Sequence, residues 1–170
     1  MPELPEVEVV RKSLEDIFHE HPYILKIKNR RPDLRFPLPL GVFRKWKDAR
    51  ILAVHRRAKY LRIESTAGSL VCHLGMTGSF RLRGPAEPSR THDHVEFWLG
   101  GDRILVFEDA RRFGFFLAWP GNWDQVTLVP CGAEPLDETG TGQTLRDSLK
   151  GRASPIKNML MDQRIVVGIG

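Results

Sequence analysis

A succession of short apolar segments separated by turn residues constrains the fold of this sequence more than any other feature. The clearest pair comprises residues 94–99 and 103–107, which flank Gly100-Gly101 and predict a β-hairpin. The other segments with the composition of strands are residues 23–28, 50–57, 60–64, 69–74, 79–82 and 115–119. Short strands with turn signals between them predict a mainly antiparallel β-sandwich or barrel.

The beginning of the chain has the apolar spacing of a helix instead. The apolar positions are Leu4, Val7, Val10, Leu14, Ile17 and Phe18. Pro5 suits a first helical turn, and His21-Pro22 predicts the end of the helix. At about 100° per residue, Glu3 and Glu6 fall in or beside the apolar sector, so we expect both carboxylates to face inward.

The composition changes in the last quarter of the chain. Residues 130–142 are rich in proline, glycine and acids and predict a linker. Residues 145–150 predict a short helix, and Ser154-Pro155 predicts the N-cap and first residue of another. The chain ends in an apolar run, residues 165–170, which leaves these helices without a partner for their apolar faces. We therefore expect the natural gene to continue.

These patterns predict two parts in an α+β, mainly β protein. Residues 1–134 are expected to form an N-terminal domain, an antiparallel β-sandwich or barrel with the N-terminal helix. Residues 135–170 are expected to form a linker and the beginning of a helical domain. The length of 170 residues suits one domain plus such a fragment.

Basic side chains outnumber acidic ones, with 26 Lys and Arg against 21 Asp and Glu and a net charge of +5. They concentrate in residues 26–35 and 44–62, which indicates either a polyanionic partner or merely solvated strand faces. Cys72 and Cys131 are far apart and predict reduced thiols in a cytosolic protein. The sequence has no signal-peptide pattern and no apolar run long enough for a membrane span.

Removal of Met1 would make Pro2 the amino terminus and expose a secondary amine. Such an amine adds to an aldehyde carbon and loses water to give an iminium ion. This ion has no N–H to lose, so it remains cationic and acidifies the neighbouring carbon for elimination. The alternative is that Pro2 and the acids Glu3 and Glu6 only begin and stabilise the helix.

Seven short motifs follow one another along the chain. They are MPELPEVE (residues 1–8), RRAKYL (56–61), HLGMTG (73–78), HDHV (92–95), DARRFG (109–114), EPL (134–136) and IKNMLMD (156–162). In this order and spacing they resemble the formamidopyrimidine-DNA glycosylases, a bacterial family that excises oxidised purines. The resemblance implies a bifunctional glycosylase and abasic-site lyase of base-excision repair. Its substrates would be 8-oxoguanine and formamidopyrimidines in double-stranded DNA.

The resemblance also makes residues 1–134 the catalytic domain and implies roles for four residues of its active site. Pro2 would attack C1′ of the damaged nucleotide, and Glu3 would act as acid and base on the sugar ring. The resulting iminium would drive elimination of the 3′ and then the 5′ phosphate. Lys59 would transfer protons and contact charge at the lesion, while Glu6 would support the pocket.

Met76, Arg111 and Phe113 resemble the residues with which this family fills the gap left by an extruded nucleotide. Extrusion costs a few kcal/mol, and an apolar wedge with a planar cation can occupy the gap. The alternative is that Met76 belongs to the core and the other two pack at a strand end. Their position beside glycines, in turns, favours the first interpretation.

His92, Arg111, Arg152 and Lys157 match positions that contact phosphates near the lesion in the family. Such contacts position a duplex without reading its sequence. An alternative for the segment around His92 is a salt-linked start of a strand. A metal site is not predicted there, because adjacent strand residues point to opposite faces.

Several features depart from the family pattern. Ala110 replaces a usual proline, and Cys131 and Ala133 replace leucine and proline ahead of the EPL motif. The family's helix–two-turn–helix module and its four-cysteine zinc finger would lie largely after Gly170. The resemblance therefore implies no cofactor in this chain and one structural zinc ion in the full-length protein. It further implies a monomer in the bacterial cytoplasm, associated with the nucleoid when acting.

Three other functions stay open at this point. The first is that of the sister endonuclease VIII branch, which prefers oxidised pyrimidines. The second is an inactive DNA-binding fragment, since this piece would lack part of the clamp that grips DNA. The third is an enzyme that uses its terminal amine on small carbonyl compounds, which would not need Met76, Arg111 or the basic clusters.

Overall fold

The computed structural model describes residues 2–121, 131–138 and 140–169. The helices are α1 (Leu4–Glu20), α2 (Leu40–Lys45), α3 (Gly142–Leu149) and α4 (Ile156–Leu160). The strands are β1 (Tyr23–Asn29), β2 (Ala49–Arg57), β3 (Tyr60–Ser65), β4 (Gly68–His73), β5 (Ser79–Arg83), β6 (Asp93–Leu99), β7 (Arg103–Glu108) and β8 (Phe115–Ala118). Each predicted strand matches one of these, and the hairpin around Gly100-Gly101 is β6 and β7.

The eight strands form one antiparallel sheet in the order β5-β7-β6-β1-β2-β3-β4-β8. Strands β1 and β2 share only two register pairs, so the sheet divides between them into two four-stranded halves. The halves pack face to face. The ring of Phe116 in β8 lies 5.8 Å from that of Phe97 in β6 and 5.0 Å from that of Phe107 in β7. This aromatic core confirms the predicted antiparallel sandwich.

Helix α1 lies against β2 and β3 and ends at Glu20, where the proline signal predicted its end. The expected inward orientation of Glu6 is wrong, because Glu6 is exposed and its Oε2 accepts a hydrogen bond from the Glu3 N–H at 3.0 Å. The first N–H groups of a helix have no intrahelical partner. The carboxylate of Glu6 therefore turns back to cap the helix instead of entering the core.

Helix α2 was not predicted, since the proline-rich residues before it indicate a loop. Its position depends on two buried aromatic side chains, Phe43 and Trp46. The ring of Phe43 lies 6.4 Å from that of Phe97 and 6.2 Å from that of Phe116. Tertiary packing stabilises this short helix, and packing of this kind leaves no local signal in the sequence.

Helices α3 and α4 form where short helices were predicted, but each begins at a different residue. Helix α3 begins at Gly142, after Thr141, whose Oγ1 accepts a backbone hydrogen bond at 3.1 Å. The prediction of Ser154 as the N-cap of α4 is wrong by one residue. The N-cap is Pro155, whose backbone is not helical, and α4 begins at Ile156. Neither helix contains a buried residue among those the structure describes. Within the same ranges, no helix combines the length and hydropathy that crossing a membrane requires.

The apolar run near the end of the chain returns to the β-sandwich. Ile165, Val166 and Val167 are buried, and Val167 packs in one cluster with Leu4 of α1. The Ala133 N–H donates to the Ile165 carbonyl at 3.1 Å, and the Val167 N–H donates to the Ala133 carbonyl at 3.0 Å. The division of the chain near residue 134 stays a prediction. Residues 130 and 139 of the predicted linker lie outside the described residues.

Candidate active site

The first residues of the chain are held in place by its last described turn. The Leu4 N–H donates to the Gly168 carbonyl at 3.2 Å. Gly168 has a φ of +76°, and a Cβ at that position would lie 2.1 Å from the Cβ of Leu4. A side chain at residue 168 would therefore displace the start of α1. Pro2 and Glu3, which precede this anchor, are both half-buried.

Lys59 lies beside Glu3 although the two residues are distant in the sequence. It belongs to the tight turn between β2 and β3, where Ala58 has a φ of +51°. The Lys59 ammonium forms an ion pair with Glu3 Oε2. The side chains are only 12% and 23% exposed, respectively, so water screens the pair weakly. The structure thus brings together an acid and a cation one residue from the Pro2 nitrogen.

Glu134 fixes the turn that carries Lys59, and we did not identify this role from the sequence. Its buried carboxylate accepts hydrogen bonds from the Ala58 N–H and, at 2.7 Å, from Arg56 Nη1. Arg56 Nε in turn donates to Glu8 of α1 at 2.8 Å. Burial alone would raise the pKa of the Glu8 carboxyl. Hydrogen bonds from Arg11 and Arg56 outweigh burial, so the pKa lies below its ordinary value. The EPL motif draws attention to Glu134, but it does not indicate the contacts with Arg56 and Ala58, because these residues are far from Glu134 in the sequence.

His73 lies between Lys59 and the loop that follows β4. Its Nδ1 accepts a hydrogen bond from the Gly75 N–H at 2.9 Å, and its ring stacks on Phe115 at 5.3 Å. Burial, together with the positive charges of Lys59 and Arg35, lowers the pKa of His73 to about 4. The ring is therefore neutral at pH 7 and can donate a hydrogen bond from Nε2.

An open cleft of about 420 Å³ adjoins His73 and is lined mainly by apolar atoms. Its other lining residues are Arg35, Gly75, Met76 and Phe113. Met76 is 37% exposed and Phe113 is 42% exposed, so neither belongs to the core. The guanidinium carbon of Arg111 lies 4.9 Å from the centre of the Phe113 ring. Exposed apolar side chains next to a stacked cation are suited to contact with an aromatic ligand.

The predicted phosphate-contacting residues occupy two separate places. His92 is exposed, and its carbonyl accepts a hydrogen bond from the Asp109 N–H at 3.0 Å, two residues from Arg111. Arg152 and Lys157 are exposed in the C-terminal helical segment, where Arg152 Nε donates to the Ser148 carbonyl at 2.8 Å. None of the described hydrogen bonds or ion pairs connects Arg152 or Lys157 with the cleft.

Neither cysteine belongs to a metal site among the residues that the structure describes. Cys72 is fully buried in the β core, where burial raises the pKa of its thiol, and Cys131 is half-buried. In the described ranges, no three His, Cys, Asp or Glu side chains approach closely enough to hold an ion. Structural zinc needs four such ligands, so these residues do not fit that metal.

Comparison with known proteins places this geometry in a family. The family model described as "Formamidopyrimidine-DNA glycosylase N-terminal domain" matches residues 1–116. A formamidopyrimidine-DNA glycosylase of Stenotrophomonas maltophilia is 46% identical over 100% of this chain and 63% of its own length. The chain thus spans less than two thirds of such relatives.

Solved structures agree with the match. The Lactococcus lactis formamidopyrimidine-DNA glycosylase bound to DNA with an abasic site is similar, with a TM-score of 0.81 and 30% identity over 99% of this chain and 65% of the other. The same enzyme in complex with DNA that contains Fapy-dG also has a TM-score of 0.81 and 30% identity, over 99% of this chain and 64% of the other. The chain therefore belongs to the formamidopyrimidine-DNA glycosylase family.

Proposed function

We propose that the protein of which this chain is part excises oxidised purines from double-stranded DNA and cleaves the resulting abasic site. The observation that carries the proposal is the ion pair between Glu3 and Lys59, one residue from the Pro2 nitrogen. The names of the relatives and the DNA in the related structures support the substrate class.

The reaction begins with a nucleophilic Pro2 amine. This amine attacks C1′ of the nucleotide, the damaged base leaves, and the sugar ring opens to an iminium ion. Glu3 takes the proton that the attacking amine loses and delivers it to the sugar ring oxygen as the bond between C1′ and that oxygen breaks. Lys59 forms an ion pair with Glu3, so its ammonium holds the Glu3 carboxylate in place beside the sugar. Elimination of the 3′ and then the 5′ phosphate follows, since the iminium ion withdraws electrons.

The surface around the cleft would hold the DNA. An enzyme that acts at C1′ must take the nucleotide out of the stack, and Met76, Arg111 and Phe113 would fill the gap. His92 and Arg111 would contact phosphates beside it, with Arg152 and Lys157 on the helical segment. The role of Glu6 in this proposal is limited to fixing Glu3 through its backbone N–H.

The proposal includes the setting of the whole protein. We place it in the bacterial cytoplasm as a monomer that meets damaged duplex DNA at the nucleoid. We also propose one structural zinc ion in the full-length protein, held by a four-cysteine finger outside the sequence of this chain. This chain has two cysteines, so it cannot supply those ligands itself.

A comparison of substrates tests the proposal. Full-length protein, with Pro2 verified as the N-terminus by mass spectrometry, is incubated with duplexes that contain 8-oxoguanine, an oxidised pyrimidine or no lesion. We expect strand cleavage to be fastest at 8-oxoguanine. Faster cleavage at the oxidised pyrimidine would favour the endonuclease VIII alternative. No cleavage of either lesion duplex would contradict the proposed activity.

A further inference from the structure

We propose that Asp109 and Thr77 are positioning residues that lock the two wedge loops into one rigid unit. The wedge loops are residues 75–78, which follow β4 and carry Met76, and residues 109–114, which follow β7 and carry Arg111 and Phe113. The inference rests on the proposed function, because it concerns how these loops enter DNA.

Asp109 lies at the centre of the connection. It is 0% exposed, and its carboxylate receives hydrogen bonds from both loops. Oδ1 accepts from Thr77 Oγ1 at 2.5 Å and from the Arg111 N–H at 3.2 Å, and Oδ2 accepts from the Gly114 N–H at 2.8 Å. A buried carboxylate is costly unless several donors satisfy it, so these bonds hold the arrangement firmly.

Thr77 adds a second link between the loops. Its Oγ1 also accepts a hydrogen bond from the Arg111 N–H at 3.1 Å, so one hydroxyl bridges the residue after Met76 and the backbone of Arg111. Thr77 itself is exposed, and no part of the reaction proposed above involves its side chain. Its hydroxyl therefore offers a way to weaken the connection without altering Pro2, Glu3 or Lys59.

The backbones of the two loops also approach too closely for a side chain. A Cβ on Gly75 would lie 2.4 Å from the Gly114 nitrogen and from the Phe113 carbonyl carbon. A Cβ on Gly114 would lie 3.0 Å from Asp109 Oδ2. Glycine at residue 75 lets the loops lie against each other, and glycine at residue 114 leaves room for the Asp109 carboxylate. Hydrogen bonds and close packing thus act on the same pair of loops.

A rigid unit matters for the step in which the wedge enters the base stack. Extrusion of a nucleotide from a duplex costs a few kcal/mol. If the wedge loops were mobile, the free energy cost of ordering them would reduce the binding energy available for extrusion. A single-stranded abasic oligonucleotide has no base to extrude from a paired stack. Weakening the connection should therefore slow reaction with the duplex much more than with the single strand.

The experiment compares Thr77→Val with Thr77→Ser in the full-length protein. Valine keeps the shape of threonine and loses the hydroxyl, whereas serine keeps the hydroxyl. We expect Thr77→Val to lower the single-turnover rate on an 8-oxoguanine duplex about 10-fold to 100-fold, the effect of a lost hydrogen bond to a charged group. Cleavage of the single-stranded abasic oligonucleotide should change less than about threefold, and Thr77→Ser should resemble the wild type on both substrates.

The outcomes separate this inference from the function on which it rests. Equal losses on both substrates, or a Thr77→Ser variant as slow as Thr77→Val, would overturn the positioning role. The same conclusion would follow if Thr77→Val reacted with the duplex at the wild-type rate. A wild-type protein that fails on the single-stranded abasic oligonucleotide would instead overturn the proposed chemistry of Pro2. Thermal unfolding of each variant shows whether it is folded, and Thr77→Ala serves as a second hydroxyl-free variant.

Discussion

At the scale of single residues, the site depends on pairs that are distant in the sequence. Glu3 and Lys59 each stand in a recognisable motif, yet their ion pair exists only because the β2–β3 turn reaches the start of α1. The roles assigned to Pro2, Glu3, Lys59 and Glu6 stay predictions. The outward orientation of Glu6 shows why a helical projection is weak in a first turn, where capping competes with burial.

His73 gives a prediction that depends on pH. Its pKa in the folded protein is about 4, against 6.5 in the unfolded chain. Between these values the unfolded chain binds a proton that the folded protein does not, so stability falls as pH decreases from 6.5 toward 4. We expect this histidine to account for about 2 to 3 kcal/mol of the loss.

The measurement is urea unfolding at about pH 7 and about pH 4.5. His73→Asn keeps an acceptor for the Gly75 N–H and cannot titrate, so it should lose less stability on acidification than the wild type. His19→Asn is the matched control, because His19 is exposed on α1. If His73→Asn lost as much stability as the wild type, His73 would not be the group responsible.

At the scale of elements, the β2–β3 turn and α1 are joined through one buried network. Glu134 accepts hydrogen bonds from Ala58 and Arg56, and Arg56 continues the network to Glu8 of α1. The sequence identifies the strands and the turn correctly, since these depend on local patterns. It does not show that Glu134, which follows β8, completes this network. The residues around Glu134 contain no pattern that indicates a contact with β2.

Removal of the Glu134 carboxylate should destabilise the protein strongly. In Glu134→Ala, Arg56 keeps its ion pair with Glu8 but loses the one with Glu134, and the Ala58 N–H loses its acceptor. We expect a loss of about 3 kcal/mol in the free energy of unfolding, typical of breaking a buried ion pair. The control is Glu138→Ala, since Glu138 is exposed. A loss for Glu134→Ala no larger than for the control would contradict the structural role of this network.

At the scale of the whole molecule, the sequence predicts the strands and their sandwich architecture better than it predicts the contacts between distant parts of the chain. The short apolar runs of strands such as β6 and β7, with turn residues between them, are local signals, and they specify the sandwich. The helix α2 and the return of residues 165–168 to the start of α1 both depend on distant partners, among them Phe97 and Leu4. Burial against such partners decides these features, so periodicity alone could not place them.

The candidate site follows the same division. The motifs identify Met76, Arg111 and Phe113 by resemblance, and the structure places all three on the surface around one cleft. Asp109 stands in a motif as well, but its supporting role is not apparent from the sequence, because it depends on a contact with Thr77 in another loop. The part of a site that touches a ligand is thus easier to predict than the part that supports it.

The proposed nucleophile is the Pro2 nitrogen, and borohydride trapping detects the bond that this nitrogen forms. Full-length protein with Pro2 verified as its N-terminus is mixed with an oligonucleotide that carries an abasic site or 8-oxoguanine, and borohydride reduces any iminium to a stable bond. Digestion and mass spectrometry then locate the linkage. We predict a covalent adduct on the N-terminal peptide, at Pro2. The absence of an adduct, or a linkage to the neighbouring amine of Lys59, would contradict this account.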